Sequence, residues 1–253
     1  MHEVHVVVTG ASRGIGAAMA RRWLSLGARV TLVARQVAAL EEIASGGKGF
    51  VIGADLSAPD SGTDWVDAAE AAMGPIDVLV NNAGVQLVGP TVEADVTEGE
   101  RLLRVDLLAP MRLTRRVLPS MLARGRGTIV DVASMAALAP TPGMFYYNAA
   151  KAGLAAASEA LRGELRGTGV HVVTVYPGPV DTEMAQRALA KAGDGAARHL
   201  PMGDVDTLAR KVTAAVDDRR DRVIYPASYG LARHFPQVTR WLMDRLTPPF
   251  RGG

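Results

Sequence analysis

The sequence predicts an α/β fold: a doubly wound, seven-stranded parallel sheet flanked by helices and built as one domain. Three observations predict it. Short β-branched runs alternate with amphipathic stretches, the pattern of parallel strands joined by covering helices. The first run feeds a glycine-rich turn that opens a helical stretch, which is the layout of a phosphate-binding βα unit. Finally, 253 residues, 48% of them hydrophobic, are enough for a single α/β core and require no second domain.

The strand runs are Val4 to Val8, Val30 to Val33, Phe50 to Ile52, Val78 to Val80, Thr128 to Val132, Val170 to Val175 and Val223 to Tyr225. The first leads into Thr9-Gly10-Ala11-Ser12-Arg13-Gly14-Ile15-Gly16. Gly10, Gly14 and Gly16 lack the Cβ atoms that would block backbone approach to a pyrophosphate and tight helix packing on the strand, and the helix N-terminus then offers free N–H groups to phosphate. Asp55 follows the third run, Asn81-Asn82-Ala83-Gly84 the fourth, Ser134 the fifth and Pro177-Gly178 the sixth. Crossovers between parallel strands are right-handed, and ligands bind beyond the carboxyl ends of the strands. Thr9, Asp55, Asn81, Ser134 and Pro177 are therefore expected on one edge.

Tyr147 and Lys151 stand four residues apart, so a helix sets phenol and ammonium on one face. A phenol titrates near 10, and an adjacent cation that stabilises its anion makes it an acid/base group near neutrality. Tyr146 has Ala150 at the same interval and is expected to be a pocket wall.

These motifs together resemble the short-chain dehydrogenase/reductase family, from Val4 to about Tyr225. The resemblance rests on the TGxxxGxG turn, Asp55, the NNAG element, a Ser about a dozen residues before YxxxK, and a PG motif with a following Thr, here Pro177, Gly178 and Thr182. It implies a Rossmann-type fold and a nicotinamide cofactor held by Gly10, Ser12, Arg13, Gly14, Ile15 and Gly16 at the phosphates. It further implies that Asp55 and Leu56 flank the adenine, that Asn81, Ala83 and Gly84 line the central groove, and that Val180 and Thr182, after Pro177 and Gly178, hold the nicotinamide amide. By the same resemblance Tyr147 exchanges a proton with the substrate oxygen and Ser134 steadies that oxygen. Lys151 lowers the phenol pKa and reaches the nicotinamide ribose, so that Tyr147 and Lys151 also touch the cofactor. Family members place an Asn where this chain has Asp106, supporting a water chain to the lysine. An ionised Asp cannot donate a hydrogen bond as an amide does, so an altered pH profile is expected. Residues 183–204 fall where the family has a substrate lid, and the helical stretches Pro110 to Arg124 and Tyr147 to Gly167 where it forms homodimers or homotetramers.

Cofactor choice follows from charge. A dinucleotide fold that prefers NAD places a carboxylate about 20 residues beyond the glycine turn, on the ribose 2′-hydroxyl. This chain has Val33-Ala34-Arg35-Gln36 there. Arg35 and Arg13 are suited to clamp a 2′-phosphate through charge-assisted, fork-shaped hydrogen bonds. The expectation is NADP(H).

Composition narrows the partners. The pI is about 9.1, yet 28 cationic against 26 anionic side chains leave only +2, with no long run of like charge, so nucleic acid is not expected. There is no cysteine, hence no disulfide or thiol chemistry, and the five histidines lack metal-ligand spacing. No export or spanning segment opens the chain, so a cytoplasmic location is expected. Apolar residues near the expected site, Val85, Leu87, Met135, Leu138, Met144, Phe145, Met184 and Leu189, suit a lipophilic ketone, aldehyde or alcohol. After Tyr225, residues 228–253 are expected to form an extra helical tail. Leu231, Phe235, Val238, Trp241, Leu242 and Leu246 recur there at helical spacing among Arg233, Arg240 and Arg245, with Pro236 interrupting. Such a tail packs on the protein's own body or a neighbouring subunit, or makes weak contact with a membrane surface. Two other readings stay open: a 3-oxoacyl-carrier-protein ketoreductase, and a cofactor-binding sensor or scaffold with little turnover, to which Asp106 points.

Overall fold

The structure is a computed structural model, and it describes residues 4–58, 63–192, 202–230, 241 and 245. Seven strands form one parallel sheet: β1 (His5–Thr9), β2 (Arg29–Ala34), β3 (Lys48–Gly53), β4 (Val78–Asn81), β5 (Gly127–Val132), β6 (Val170–Pro177) and β7 (Arg222–Tyr225). Their order is β3-β2-β1-β4-β5-β6-β7. The direction of winding reverses between β1 and β4, and that switch point is where an open α/β sheet leaves a crevice at its carboxyl edge.

Alternation along the strands builds two cores, because successive side chains point to opposite faces. Val6 and Val8 of β1 pack with Ala18, Trp23 and Leu24 of α1 (Gly14–Ser25), Leu40 and Ile43 of α2 (Val37–Ala44), and Leu208 and Val212 of the helix Val205–Asp217. Val7 faces the other way, with Val66 and Ala69 of α3 (Trp65–Met73) and, from the helix Ala109–Ala123, Leu113, Val117 and Met121. Strands buried on both faces read as continuous apolar runs, which is why β1, β2, β4 and β6 were visible in sequence. Edge strand β3 runs two residues earlier than its apolar run, starting at exposed Lys48.

Between β4 and β5, α4 (Val96–Leu103) starts on Asp95, whose carboxylate accepts from the amides of Thr97 at 2.7 Å and Glu98 at 3.3 Å. A π-helical turn, Arg104–Leu108, joins it to α5 (Ala109–Ala123). After β5 come a 3₁₀ turn (Met135–Ala137) and α6 (Phe145–Glu164), and after β6 come α7 (Glu183–Ala192) and α8 (Val205–Asp217). The expected lid thus begins as a helix, and its residues 193–201 lie outside the described residues. So does most of the expected tail, including Leu231, Arg233, Phe235, Pro236, Val238, Arg240, Leu242 and Leu246. Its described residues Trp241 and Arg245 stack, guanidinium over indole, at 5.2 Å. Among the described residues no helix is long and apolar enough to cross a membrane, and no cluster of His, Cys, Asp and Glu could hold a metal.

Candidate active site

The glycine turn is shaped by the segment after β4. Gly10 and Gly14 take positive φ angles of 66° and 56°, which an L side chain resists. The Gly10 amide donates to Val33 O at 2.8 Å. Thr9 Oγ1 donates to Val80 O at 3.1 Å and accepts from the amides of Asn82 and Ala83, both at 3.0 Å. Asn82 Nδ2 donates in return to Thr9 O at 2.9 Å. A Cβ on Gly10 would lie 2.7 Å from Ala83 Cα, and one on Gly16 would overlap Gly10 O and Asn82 Nδ2. The absence of side chains at Gly10 and Gly16 therefore serves the close packing of the turn and α1 against the segment after β4, in line with the tight helix packing expected from sequence. Arg13, extended at φ −160°, precedes α1 and makes no side-chain cap. The first-turn N–H groups thus keep their donor capacity for an anion.

The second half of the site lies beyond β5. Ser134 starts the 3₁₀ turn, its Oγ accepting from the Ala136 amide at 3.1 Å. α6 sets Tyr147 and Lys151 one turn apart, with Nζ 5.8 Å from the centroid of the phenol ring. Lys151 Nζ donates to Val132 O at 3.0 Å and faces Asp106 Oδ2 at 3.3 Å. Asp106 has no exposed surface and Lys151 is 4% exposed. The π turn carries Asp106 inward, and Asp106 Oδ1 accepts from the Val85 amide at 2.7 Å. Gly84 seats the pair: a Cβ there would meet Oδ2 at 2.9 Å and Nζ at 3.4 Å.

The charges interact strongly at such burial. Burial raises the Asp106 carboxyl pKa, and Lys151 and the Val85 amide offset this only in part. Burial works against the Lys151 ammonium too, but Asp106 first and Tyr147 second outweigh it, and its pKa stands above the ordinary value. The phenol departs from the sequence expectation. Burial lifts the Tyr147 pKa, Lys151 opposes the rise, Asp106 adds to it, and a hydrogen bond with Ser134 lowers it. The net direction is upward, because burial of the phenol outweighs the stabilisation of its anion by Lys151, and the Asp106 carboxylate adds to the rise.

Other expected residues divide into those that face the cleft edge and those that do not. Asn81, expected to line the cofactor groove, is 1% exposed, and its Nδ2 donates to Asp131 Oδ1 at 2.8 Å and Thr114 Oγ1 at 3.1 Å. It braces the floor beneath the groove. Met135 is buried with Ala133, Ala155 and Tyr176 and is core, not pocket wall. Tyr146 leans its ring on Gly99 of α4, where a Cβ would come within 2.5 Å, and so pins α6 to α4. Phe145 meets Tyr146 edge-on at 5.3 Å and is otherwise exposed. Val85, Leu87, Leu138, Met144 and Met184 keep partial exposure, and the Leu189 side chain lies outside the described residues.

Ala83 backs the glycine turn, as described above, and Ser12 and Ile15 are part-exposed within it. Pro177 ends β6 opposite Tyr225, and the Gly178 amide donates to Tyr225 O at 2.7 Å. Val180 is buried and bridges Gly203, while Thr182 comes against Gly14, 3.3 Å from the position of a Cβ there. At the β2 and β3 ends, Asp55 accepts from the Ser57 amide and hydroxyl at 2.9 and 2.8 Å. These bonds, the amide first, hold its pKa down with help from the Arg35 charge. Leu56 beside it is part-exposed. Arg13 is engaged: its Nη1 donates to Glu183 Oε2 at 2.7 Å. Sequence reasoning missed Asn82 as a clamp, the Val132 carbonyl as a lysine anchor, and Asp131. An acid inside the apolar run of β5 was the available signal for the last. A concavity of about 200 Å³ lined by Arg162, His171, Arg219 and Asp221 opens at the other end of the sheet, away from every candidate residue.

A glycine turn at a topological switch point, with a Ser, Tyr and Lys cluster beside it, defines a dinucleotide-dependent oxidoreductase. The profile described as "short chain dehydrogenase" matches residues 4–193, and the chain belongs to the short-chain dehydrogenase/reductase family. A short chain dehydrogenase of Pseudocercospora fijiensis is 38% identical over 185 residues, covering 70% of this chain and 60% of that protein. The ketoacyl reductase HetN of a Nostoc species is 39% identical over 197 residues, covering 73% of this chain and 69% of its own length. Among solved structures, a short-chain dehydrogenase from Sphingobium yanoikuyae in complex with NADPH aligns with a TM-score of 0.80 at 30% identity, covering 98% of each chain. A Burkholderia phymatum family member in complex with NAD aligns at 0.82 with 26% identity, over 99% of this chain and 98% of its own.

Proposed function

We infer that this family member is an NADP(H)-dependent oxidoreductase that interconverts a lipophilic ketone or aldehyde and its alcohol. The observation that carries the reading is the cluster of Ser134, Tyr147 and Lys151, anchored on the Val132 carbonyl at the carboxyl end of β5. The residues present fit the cofactor: α1 is uncapped, the turn before it is bare backbone, and Lys151 has a third N–H beyond its two partners.

A bound nicotinamide supplies or accepts the hydride at the carbonyl carbon. In the reducing direction Tyr147 gives its proton to the carbonyl oxygen and Ser134 donates a hydrogen bond to the same oxygen. Lys151 stabilises the phenolate left behind, and Asp106 keeps that lysine charged. Oxidation runs in reverse. A preference for NADP(H) is supported by Arg35 in place of an acid after β2 and by Arg13 in the turn, and a 30% identical structure holds NADPH. The part-exposed apolar side chains Val85, Leu87, Leu138 and Met184 support the substrate class. A homodimer or homotetramer packed through α5 and α6 is part of the reading, supported by Met111 and Leu122, exposed on α5 at 47% and 40%.

Turnover of a ketone and aldehyde panel with NADPH and with NADH tests the reading. Tyr147→Phe is expected to lose about 10²- to 10⁴-fold in kcat while still binding NADPH. A lower KM for NADH than for NADPH would overturn the cofactor assignment. The likeness to HetN favours one second reading, reduction of a 3-oxoacyl thioester. A kcat/KM for such a thioester well above that for every free ketone would select it. NADPH binding with no turnover of any substrate would mark a sensor or scaffold.

A further inference from the structure

The phosphate turn and the start of α7 meet residue against residue across the length of the chain. Gly14 packs on Thr182, and the neighbouring Arg13 donates to the neighbouring Glu183 at 2.7 Å. Glu183 is the first residue of α7, and its carboxylate is also bound by Arg187 one turn on. The guanidinium that the cofactor reading assigns to a 2′-phosphate is thus already held by a carboxylate.

We propose that Glu183 is a specificity-determining residue, which competes with the 2′-phosphate of NADP(H) for the Arg13 guanidinium and so sets how strongly the enzyme favours NADP(H) over NAD(H). This rests on the assignment of Arg13 given above. Carboxylate and phosphate want the same planar fork of N–H donors, so Arg13 exchanges one for the other. The exchange is easy for two reasons. Both side chains are about half exposed, 55% and 49%, where an ion pair shifts an equilibrium only about two- to fivefold. Glu183, once released, keeps Arg187 and the positive end of α7 as partners. NAD(H) carries no 2′-phosphate and leaves the pair intact, so the competition weakens binding of NADP(H) alone.

The test is a double-mutant cycle on the full chain, reading Kd for NADPH and for NADH in wild type, Glu183→Gln, Arg13→Ala and the double variant. Glu183→Gln is expected to tighten NADPH about two- to fivefold, to leave NADH unchanged, and to have no effect once Arg13 is gone. Added salt is expected to narrow the gap between wild type and Glu183→Gln. Equal tightening of both nucleotides, weaker NADPH binding in Glu183→Gln, or an effect that persists without Arg13 would overturn the competition. Arg13→Ala with unchanged NADPH affinity would instead remove the assignment of Arg13, and the proposal with it.

Discussion

At the residue scale, the buried pair of Asp106 and Lys151 sets the chemistry of the phenol. Removing one member of a buried pair normally strands a charge, but Asp106→Asn keeps the shape and leaves Lys151 on the Val132 carbonyl. The carboxylate raises the Tyr147 pKa, so its loss lowers it. Reduction needs the protonated phenol and is lost as pH rises through that pKa; oxidation needs the phenolate and appears there. Both limbs are therefore expected at lower pH in Asp106→Asn, with activity retained, as read from kcat/KM profiles in both directions. Identical profiles would show that the carboxylate is not felt at the phenol. Tyr147, Lys151 and Ser134 were legible in the sequence because their relation is local, fixed by one helical turn and one strand end. The inward turn of Asn81 toward Asp131 and the grip of Glu183 on Arg13 were not. They join positions 50 and 170 residues apart, and no local pattern records such pairs.

At the element scale, strands and helices were legible wherever burial was two-sided or periodic. Where they were not, packing overrode composition. β3 extends through Lys48 and Gly49 because pairing with β2 continues at the sheet edge, while α4 flows into α5 through a π turn that no periodicity announces. Such turns are frequent at functional sites, and this one carries the buried Asp106. Tyr146, expected to wall a pocket, instead locks α6 against α4 at Gly99. Gly99→Ala is expected to destabilise the protein by about 1–3 kcal/mol through overpacking, measured by chemical denaturation. It should also reduce turnover by tilting the start of α6, which carries Tyr147. Unchanged stability would mean that α4 can move aside freely.

At the scale of the whole molecule, the sheet ties its two faces together through buried polar groups that constrain its response to acid. His5 is fully buried, its ring nitrogens engaged with Gly74 O at 2.7 Å and Thr31 Oγ1 at 2.9 Å. Burial depresses its pKa below 6.5, with Arg29 adding to the effect, and His171 is likewise depressed by burial. A histidine whose folded pKa lies below its unfolded value contributes stability that is complete above the unfolded value and lost as pH falls through the folded one. Thermal stability is therefore expected to fall over the window below about pH 6.5, with a shallower fall in His5→Gln. A flat profile across that window would contradict it. The doubly wound parallel architecture was legible from alternation and the glycine turn, because right-handed crossovers leave only a handful of ways to wind parallel strands; the strand order itself came from the structure.

The clasp between Thr9, Asn82 and the two bare glycines also bears on how this protein could change over evolutionary time. Its members hold one another so closely that altering any of them disturbs two strands at once. A lineage seeking a different redox currency is thus barred from redesigning the cradle itself. Its freedom lies at the rim, at Arg13, Arg35 and Glu183, where surface side chains can be traded without unpicking the seam.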